Sequence, residues 1–298
     1  MDEKMEMPKV DISGQPQQPA SPTNVLEAYY RQPKIYMSLP SGGKWYAPGS
    51  LDVSEDGKYP VYSMTAKDEL MFKTPDALLT GQGTVEVIQS CIPSIKDAWK
   101  IPSIDVDAIL VAIRIATYGE TMDVDTNCPS CKEEQRYGYE LTKFLDELSQ
   151  FSYTENFAVG DLVFHLRPFT YKEATKRALS RIEQERIFNI VNAENMDDEE
   201  RLERFGASFV KLTDLTVQML ADAVSKIDTP QGSESDREKI KNFINNAPKE
   251  IFDTVNDQLQ AMKEKLDLKI KGAKCDKCNH VFDIAITMDQ ANFFNARS

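Results

Sequence analysis

Two cysteine pairs that lie far apart in the sequence constrain the fold of this 298-residue chain most strongly. Cys128 and Cys131 form the first pair, Cys275 and Cys278 form the second, and two residues separate the cysteines of each pair. Thiolates at this spacing can bind one side of a metal ion, and two such pairs complete a closed tetrahedral shell. The sequence therefore predicts that all four cysteines bind one structural Zn²⁺ ion.

The separation of the two pairs is unusual for a zinc ribbon. Cys131 and Cys275 have 143 residues between them, whereas an ordinary ribbon has about 15–20 residues between its half-sites. Extended segments are predicted on both sides of each pair, so we expect each pair to occupy a tight turn between two strands. The intervening residues would then form an insertion whose two ends are held together by the metal.

Other roles for the cysteines remain open at this point. A redox-active dithiol is one alternative, although neither pair begins a helix of a thioredoxin-like unit, and cysteines that bind no metal are another. His280 follows Cys278 by two residues and is a further candidate ligand, but four thiols already fill the shell. A closed shell has no position for water, which disfavours a catalytic zinc. Cys91 lies in an apolar segment, and we expect it to be a small buried residue.

The clearest helical pattern in the first half covers residues 105–118. Apolar side chains dominate the segment DVDAILVAIRIATY, and Gly119 follows at the position that commonly ends a helix. This composition predicts a helix that is buried on nearly all sides. Arg114 is the one charged residue in its interior, and we expect its side chain to reach the surface or to pair with a nearby acid.

Near residue 170 the spacing of apolar residues changes from the alternation typical of strands to the periodicity typical of helices. Apolar residues alternate on both sides of Gly160 and Asp161, which predicts a β-hairpin. His165 lies in this hairpin, and no acid–base partner for it is evident in the sequence. Downstream, helical periodicity predicts helices at about 171–193, 197–227, 234–246 and 249–268. The short polar loops between them favour a helical bundle or hairpin.

These patterns predict an α+β protein with a zinc-ribbon-like β core, short helices and a large helical insertion between two CxxC knuckles. The predicted domains are an acidic, Pro- and Gln-rich tail at 1–24, a core formed by 25–170 with 268–298, and the insertion at 171–267. The tail lacks the clustered apolar residues that offset the entropy of ordering. We interpret it as either an inert tail or a segment that docks on a partner.

The charge of the chain restricts its classes of partner. Asp and Glu outnumber Lys and Arg by 48 to 35, and the formal net charge of −13 disfavours general binding to nucleic acid or to an anionic membrane surface. A basic group near the cysteine pairs nevertheless keeps one alternative function open, a zinc-ribbon protein that binds nucleic acid or regulates transcription. This group comprises Lys132, Arg136, Lys269, Lys271, Lys274 and Lys277.

Signals for catalysis and for export are missing from the sequence. The chain has only two histidines and no recognisable motif of nucleophile and base, so it is predicted not to be an enzyme. No apolar run approaches the roughly 20 residues that span a bilayer, and the polar N-terminus is unlike a secretory signal. A reducing cytosol is the expected compartment, where a CxxC pair indicates a metal or redox site before a disulfide.

Several longer strings of residues carry a resemblance to a known family. They include PDALLTG at 75–81, AIRIATYG at 112–119, the knuckle CPSC at 128–131, and LRPFTY at 166–171. On these strings the chain resembles the baseplate proteins of T-even-type contractile-tailed bacteriophages. The similarity is strongest over about residues 35–175 and continues more weakly through the second knuckle.

The resemblance implies a tail-morphogenesis protein that is made in the cytoplasm of the infected host. Proteins of this kind act through protein–protein contacts in assembly of the baseplate hub, so other hub proteins and the tape-measure protein are the implied partners. The resemblance leaves open whether the chain stays in the virion tail as a structural subunit or acts as an assembly chaperone. The family supplies no catalytic motif, and the zinc site is inferred from the cysteine spacing and its flanking strands alone.

Overall fold

Helices and small antiparallel sheets alternate along the chain, which confirms the predicted α+β class. The computed structural model describes residue 26 and residues 29–193, 198–286 and 293–294, and it describes the backbone alone at 75–76, 187–193, 198–202 and 204. The tail predicted for residues 1–24 lies outside the described residues.

The strands and helices follow one another in small local groups. The strands are β1 (Pro33–Ser38), β2 (Lys58–Tyr62), β3 (Thr121–Asn127), β4 (Glu134–Glu140), β5 (Asn156–Val159), β6 (Leu162–Leu166), β7 (Val224–Thr229), β8 (Gly232–Glu234), β9 (Lys269–Lys274) and β10 (Val281–Ala285). The α-helices are α1 (Ala66–Phe72), α2 (Pro75–Leu79), α3 (Gln82–Cys91), α4 (Ser103–Tyr118), α5 (Leu141–Ser149), α6 (Tyr171–Ala193), α7 (Asp198–Ala223), α8 (Arg237–Asn246) and α9 (Lys249–Leu266). Strands β1–β2, β3–β4 and β9–β10 pair as separate hairpins, whereas β5–β6–β7–β8 form one antiparallel sheet.

Helix α4 lies at the centre of a first hydrophobic cluster. Its side chains from Ile104 to Ala116 are buried except at Asp107, and Gly119 follows the helix with a φ of 101°, in the region that favours glycine. Strands β1 and β2, helices α1, α3 and α5, and the distant residues Leu268, Phe293 and Phe294 contribute to the same cluster. The prediction of a helix buried on nearly all sides is confirmed.

Arg114 is buried in this cluster, with 1% of the residue exposed. The prediction that its side chain reaches the surface is wrong. Its guanidinium donates a hydrogen bond to the carbonyl oxygen of Phe293, and it lies 5.3 Å and 5.6 Å from the ring centroids of Phe293 and Tyr118. A carbonyl oxygen and two aromatic faces therefore compensate part of the cost of burying the charge.

A second hydrophobic cluster forms where the four-stranded sheet packs against α8 and α9. It includes Phe164 and Leu166 of β6, Val224 and Ile227 of β7, and residues of both helices. The helix predicted for 197–227 ends at Ala223, and the chain continues as β7, which pairs with β6. Pairing with β6 buries the two apolar residues of β7 and satisfies its backbone, which explains the change from helix to strand.

Helices α6 and α7, which we call the helical arm, are long and largely exposed. Predicted helix 171–193 is confirmed, and along α7 the side chains described between residues 203 and 219 are exposed or half-buried except at Ser208. In the described part of the chain, every helix is too short or too polar to span a lipid bilayer.

The two clusters do not follow the predicted boundary at residue 170. The β5–β6 hairpin, which the sequence analysis placed in the core, contributes Phe164 and Leu166 to the second cluster. Residues 33–298 group as a single compact unit in which both clusters lie. The division into tail, core and insertion stays a prediction.

A buried carboxylate ties α4 to the turn that follows β1. Asp105 in the first turn of α4 accepts hydrogen bonds from the backbone nitrogen and the hydroxyl of Ser41, at 2.7 Å and 2.6 Å, and from the Tyr46 hydroxyl at 3.0 Å. Burial raises the pKa of Asp105 to about 6, against the effect of these three donors. The folded protein therefore retains this proton at pH values where the unfolded chain, with a usual Asp pKa of about 3.9, has lost it.

The contribution of Asp105 to stability should consequently fall as the pH rises from about 4 to about 7, and it should be absent from the variant Asp105→Asn. Between pH 4.5 and pH 7 the wild type should lose about 2 kcal/mol relative to the variant, because one pKa unit corresponds to about 1.4 kcal/mol and part of the full effect of about 3 kcal/mol is already lost at pH 4.5. Urea unfolding of both proteins at pH 4.5 and pH 7 measures the difference. Parallel pH profiles for the two proteins would contradict the prediction.

Candidate metal centre

The structure brings the four predicted cysteines together. Their sulfur atoms all lie within 4.8 Å of one another. Two of the separations join the half-sites, 3.7 Å between the Sγ atoms of Cys128 and Cys278 and 3.6 Å between those of Cys131 and Cys275. The half-sites are therefore adjacent in space despite the length of the insertion between them.

These distances match four ligands around one ion and exclude disulfides. A tetrahedral ion with metal–sulfur bonds of 2.3 Å places its sulfur ligands about 3.8 Å apart, whereas a disulfide bond is about 2.05 Å long. Cys128 and Cys275 are buried, Cys131 is half-buried and Cys278 is exposed. The four cysteines can thus bind a metal ion at the edge of the protein.

Both cysteine pairs occupy the same kind of turn. In the first, the amide of Cys128 donates to the carbonyl oxygen of Glu133 and the amide of Lys132 donates to that of Cys128, each at 2.9 Å. The second turn repeats both bonds at 2.9 Å, from Cys275 to His280 and from Asn279 to Cys275. The fourth residue after the first cysteine is Lys132 in one turn and Asn279 in the other. Both have a left-handed backbone conformation, with φ values of 63° and 57°.

A hairpin flanks each turn, as the sequence predicted. Strands β3 and β4 lead into and out of the first turn, and β9 and β10 do the same for the second. The hairpins are joined across the centre by an ion pair between Glu133 and Lys277, at 2.5 Å. Identification of the assembly as a zinc ribbon stays a prediction.

The thiols of the cluster differ in acidity. Hydrogen bonds from the backbone amides of Cys278 and Lys277 lower the pKa of Cys275 to about 7. At Cys131 the amide of Glu133 favours the thiolate, but desolvation and hydrogen bonds with the other three cysteines raise the pKa to about 12. Four adjacent thiols resist full ionisation because each thiolate repels the next, and a bound divalent cation supplies the charge that allows it.

The further candidate ligand His280 and the remaining cysteine Cys91 are not part of the cluster. Among the described residues, the group that could hold a metal ion comprises the four cysteines without His280. His280 accepts a backbone hydrogen bond within the second turn, and its ring lies 6.0 Å from that of Phe282. Cys91 is fully buried in the first hydrophobic cluster, as expected for a small apolar residue.

His165 has an acidic partner that the sequence analysis did not identify. Its Nε2 lies 2.6 Å from a carboxylate oxygen of Asp228, which is on the neighbouring strand β7. The hydroxyl of Ser233 and the amine of Lys226 donate to the same carboxylate, and together with His165 they hold the pKa of Asp228 well below its usual range. In a catalytic triad the histidine contacts the nucleophile, whereas Ser233 here contacts the acid.

Most of the basic group near the cysteines is engaged in ion pairs. The guanidinium of Arg136 binds both carboxylate oxygens of Asp125 at 2.7 Å and 3.0 Å. The other pairs are Lys269 with Asp267, Lys271 with Glu147, and Lys277 with Glu133. This neutralisation weakens the alternative of a nucleic-acid-binding protein, because phosphate binding requires uncompensated positive charge.

Comparison with protein-family models gives a match. A family model described as T4 bacteriophage base plate protein matches residues 32–295, nearly the whole length of the chain. No curated protein and no solved structure matches.

Proposed function

Because the chain belongs to the T4 bacteriophage base plate protein family, we propose that it is a non-enzymatic protein of phage tail morphogenesis that acts in assembly of the baseplate hub. The observation that carries this proposal is the match over residues 32–295, which includes both cysteine turns and the helical arm. Other hub proteins and the tape-measure protein are the proposed partners. The chain would act in the host cytoplasm during assembly, either as a chaperone or as a subunit that remains in the tail.

The proposed metal of the cysteine centre is Zn²⁺, in a structural role. Four thiolates suit Zn²⁺, which prefers a closed tetrahedral set of sulfur or nitrogen ligands in structural sites. The separations of 3.6 Å and 3.7 Å between half-sites agree with this geometry. Such an ion would join the β3–β4 hairpin to the β9–β10 hairpin, and so close both ends of the insertion that carries the helical arm.

The helical arm is the proposed surface for protein contacts. On α7 the adjacent side chains of Phe209 and Val210 are 61% and 59% exposed. Neighbouring large apolar side chains on an exposed helix favour binding to an apolar surface of a partner, because burial of such residues drives association. Contact through the arm would leave the metal centre and the first hydrophobic cluster intact as a scaffold.

The double variant Phe209→Glu/Val210→Glu should abolish assembly while the fold stays stable. Both side chains are exposed, so the melting temperature should change by no more than about 2 °C, as is usual for surface substitutions. Two introduced carboxylates in the contact should weaken binding at least about tenfold, which corresponds to about 1.4 kcal/mol, and should therefore lower the phage yield. The measurement is complementation of a phage whose own copy of the gene is inactivated.

Val53→Glu provides the matched control, because Val53 is 76% exposed and lies outside the arm. It introduces the same side chain and should support a normal phage yield. Equal yields from the arm variant and the control would exclude the arm as the contact surface.

Mass spectrometry of purified tails and of infected-cell extracts tests the function itself. Detection of the chain in finished tails would identify a subunit. Its presence only with incompletely assembled hub proteins would identify a chaperone. Absence from both fractions would contradict a role in hub assembly.

A further inference from the structure

A glutamine side chain from the first half of the metal centre reaches the second half. Gln135 lies on β4, and its Nε2 donates to the sulfur of Cys275 at 3.3 Å. Its Oε1 accepts from the backbone nitrogen of Asp276, also at 3.3 Å. One amide group therefore contacts both the first thiol of the second turn and the backbone that follows it.

Tyr137, two residues further along β4, supports this arrangement. Its hydroxyl lies 2.5 Å from Oε1 of Gln135 and 3.1 Å from the carbonyl oxygen of Lys274. Its ring meets the ring of Phe282 edge to face, with 6.1 Å between the centroids. Gln135 and Tyr137 together contact three consecutive residues, the last residue of β9 and the first two of the second turn, and Tyr137 helps to orient the amide toward Cys275.

The two halves of the centre differ at this position. Gln135 is the fourth residue after Cys131, and the corresponding residue after Cys278 is Phe282, whose side chain has no hydrogen-bond donor. The similarity of the two turns therefore does not extend to the side chains that follow them. Only the strand after the first turn places an amide at this position.

We propose that Gln135 is a positioning residue of the metal centre, which holds the sulfur of Cys275 opposite the first cysteine pair. This role rests on the proposed metal centre. A donated hydrogen bond stabilises the negative sulfur, and residues that orient metal ligands in this way typically affect metal affinity by about 10–100-fold. A neutral amide suits the position because a carboxylate there would repel the thiolate.

Gln135→Glu is the sharpest test, since it preserves the shape and the oxygen acceptor but replaces the donor by a second oxygen. Titration of the full-length protein with Co²⁺ measures affinity from the visible bands of the tetrahedral thiolate complex. We expect Gln135→Glu to bind Co²⁺ about 10–100-fold more weakly than the wild type. The sulfur-to-cobalt charge-transfer band should also move to lower energy, because the sulfur has lost a hydrogen bond, and a purely structural role would not move it.

Two further variants test whether the effect on Co²⁺ binding comes from the amide group of Gln135. Gln135→Leu removes donor and acceptor and should weaken Co²⁺ binding in the same direction. Gln82→Leu is the matched control, because Gln82 is an exposed glutamine on α3 that donates to Glu86. It should retain the affinity and the band position of the wild type.

The outcomes distinguish this role from the metal centre itself. Wild-type affinity and band position in both Gln135 variants would overturn the positioning role and leave the metal centre intact. Failure of the wild-type protein to bind Co²⁺ would overturn the centre and, with it, the role of Gln135.

Discussion

The double variant Cys128→Ser/Cys275→Ser is expected to be unable to bind the proposed zinc ion and to unfold roughly 10–20 °C below the wild type. The substitutions remove one ligand from each half-site, so each half-site keeps a single thiol. A structural Zn²⁺ contributes about 10–16 kcal/mol of apparent binding free energy in peptides that fold only with the metal. Loss of even half of this contribution, about 5 kcal/mol, accounts for the expected shift in a chain of this size.

Metal analysis of the purified protein and scanning calorimetry measure the two effects. Cys91→Ala is the matched control, because Cys91 is fully buried but lies outside the cluster of four sulfurs. The control should retain one zinc per chain and lose only about 1 kcal/mol from the small cavity. Unchanged stability of the double variant, or a wild-type protein that contains no metal, would refute the centre.

The second large effect is expected from the double variant Phe293→Ala/Phe294→Ala. The two rings are 3% and 6% exposed, and Phe294 stacks on Phe72 with 4.3 Å between centroids and an interplanar angle of 6°. Truncation of one buried phenylalanine to alanine costs about 3–5 kcal/mol. Together the substitutions should lower the melting temperature by more than about 10 °C, because they also remove the ring of Phe293 from the guanidinium of Arg114.

Zinc content separates this effect from that of the cysteine variant. The phenylalanine variant should still bind one zinc per chain under conditions in which it is folded. Tyr36→Ala is its control, because Tyr36 is an aromatic residue that is 64% exposed. A melting temperature within about 2 °C of the wild type would show that the two rings do not stabilise the first hydrophobic cluster.

Several elements were predictable because their signals are local. The apolar composition of residues 105–118 identified α4 as a buried helix, and the alternation around Gly160 and Asp161 identified the β5–β6 hairpin. The repeated CxxC spacing identified four residues that lie together in the structure. In each of these cases, the spacing of residues within a short segment determines which side chains share a face or a turn.

Other features depend on residues that are distant in the sequence. Val224 and Ile227 are three residues apart, a spacing that fits one face of a helix rather than of a regular strand. In the structure, β7 pairs with β6 through an irregular register between His165 and Leu166, and both residues contribute to the second hydrophobic cluster. The partner of His165 is 63 residues away, that of Gln135 at Cys275 is 140 away, and that of Arg114 at Phe293 is 179 away. No periodicity in the sequence relates residues over such separations.

The sequence by itself determined which thiols belong together, where the central helix lies and that the chain combines helices with small sheets. Only the tertiary structure decided which side chain links the two halves of the cysteine cluster, which carbonyl oxygen accepts a hydrogen bond from the buried arginine and which strands join the β5–β6 hairpin in the four-stranded sheet. The physical reason is that a turn or a helix face is specified by neighbouring residues. A hydrogen bond across the core instead requires that packing bring two remote segments to the same place.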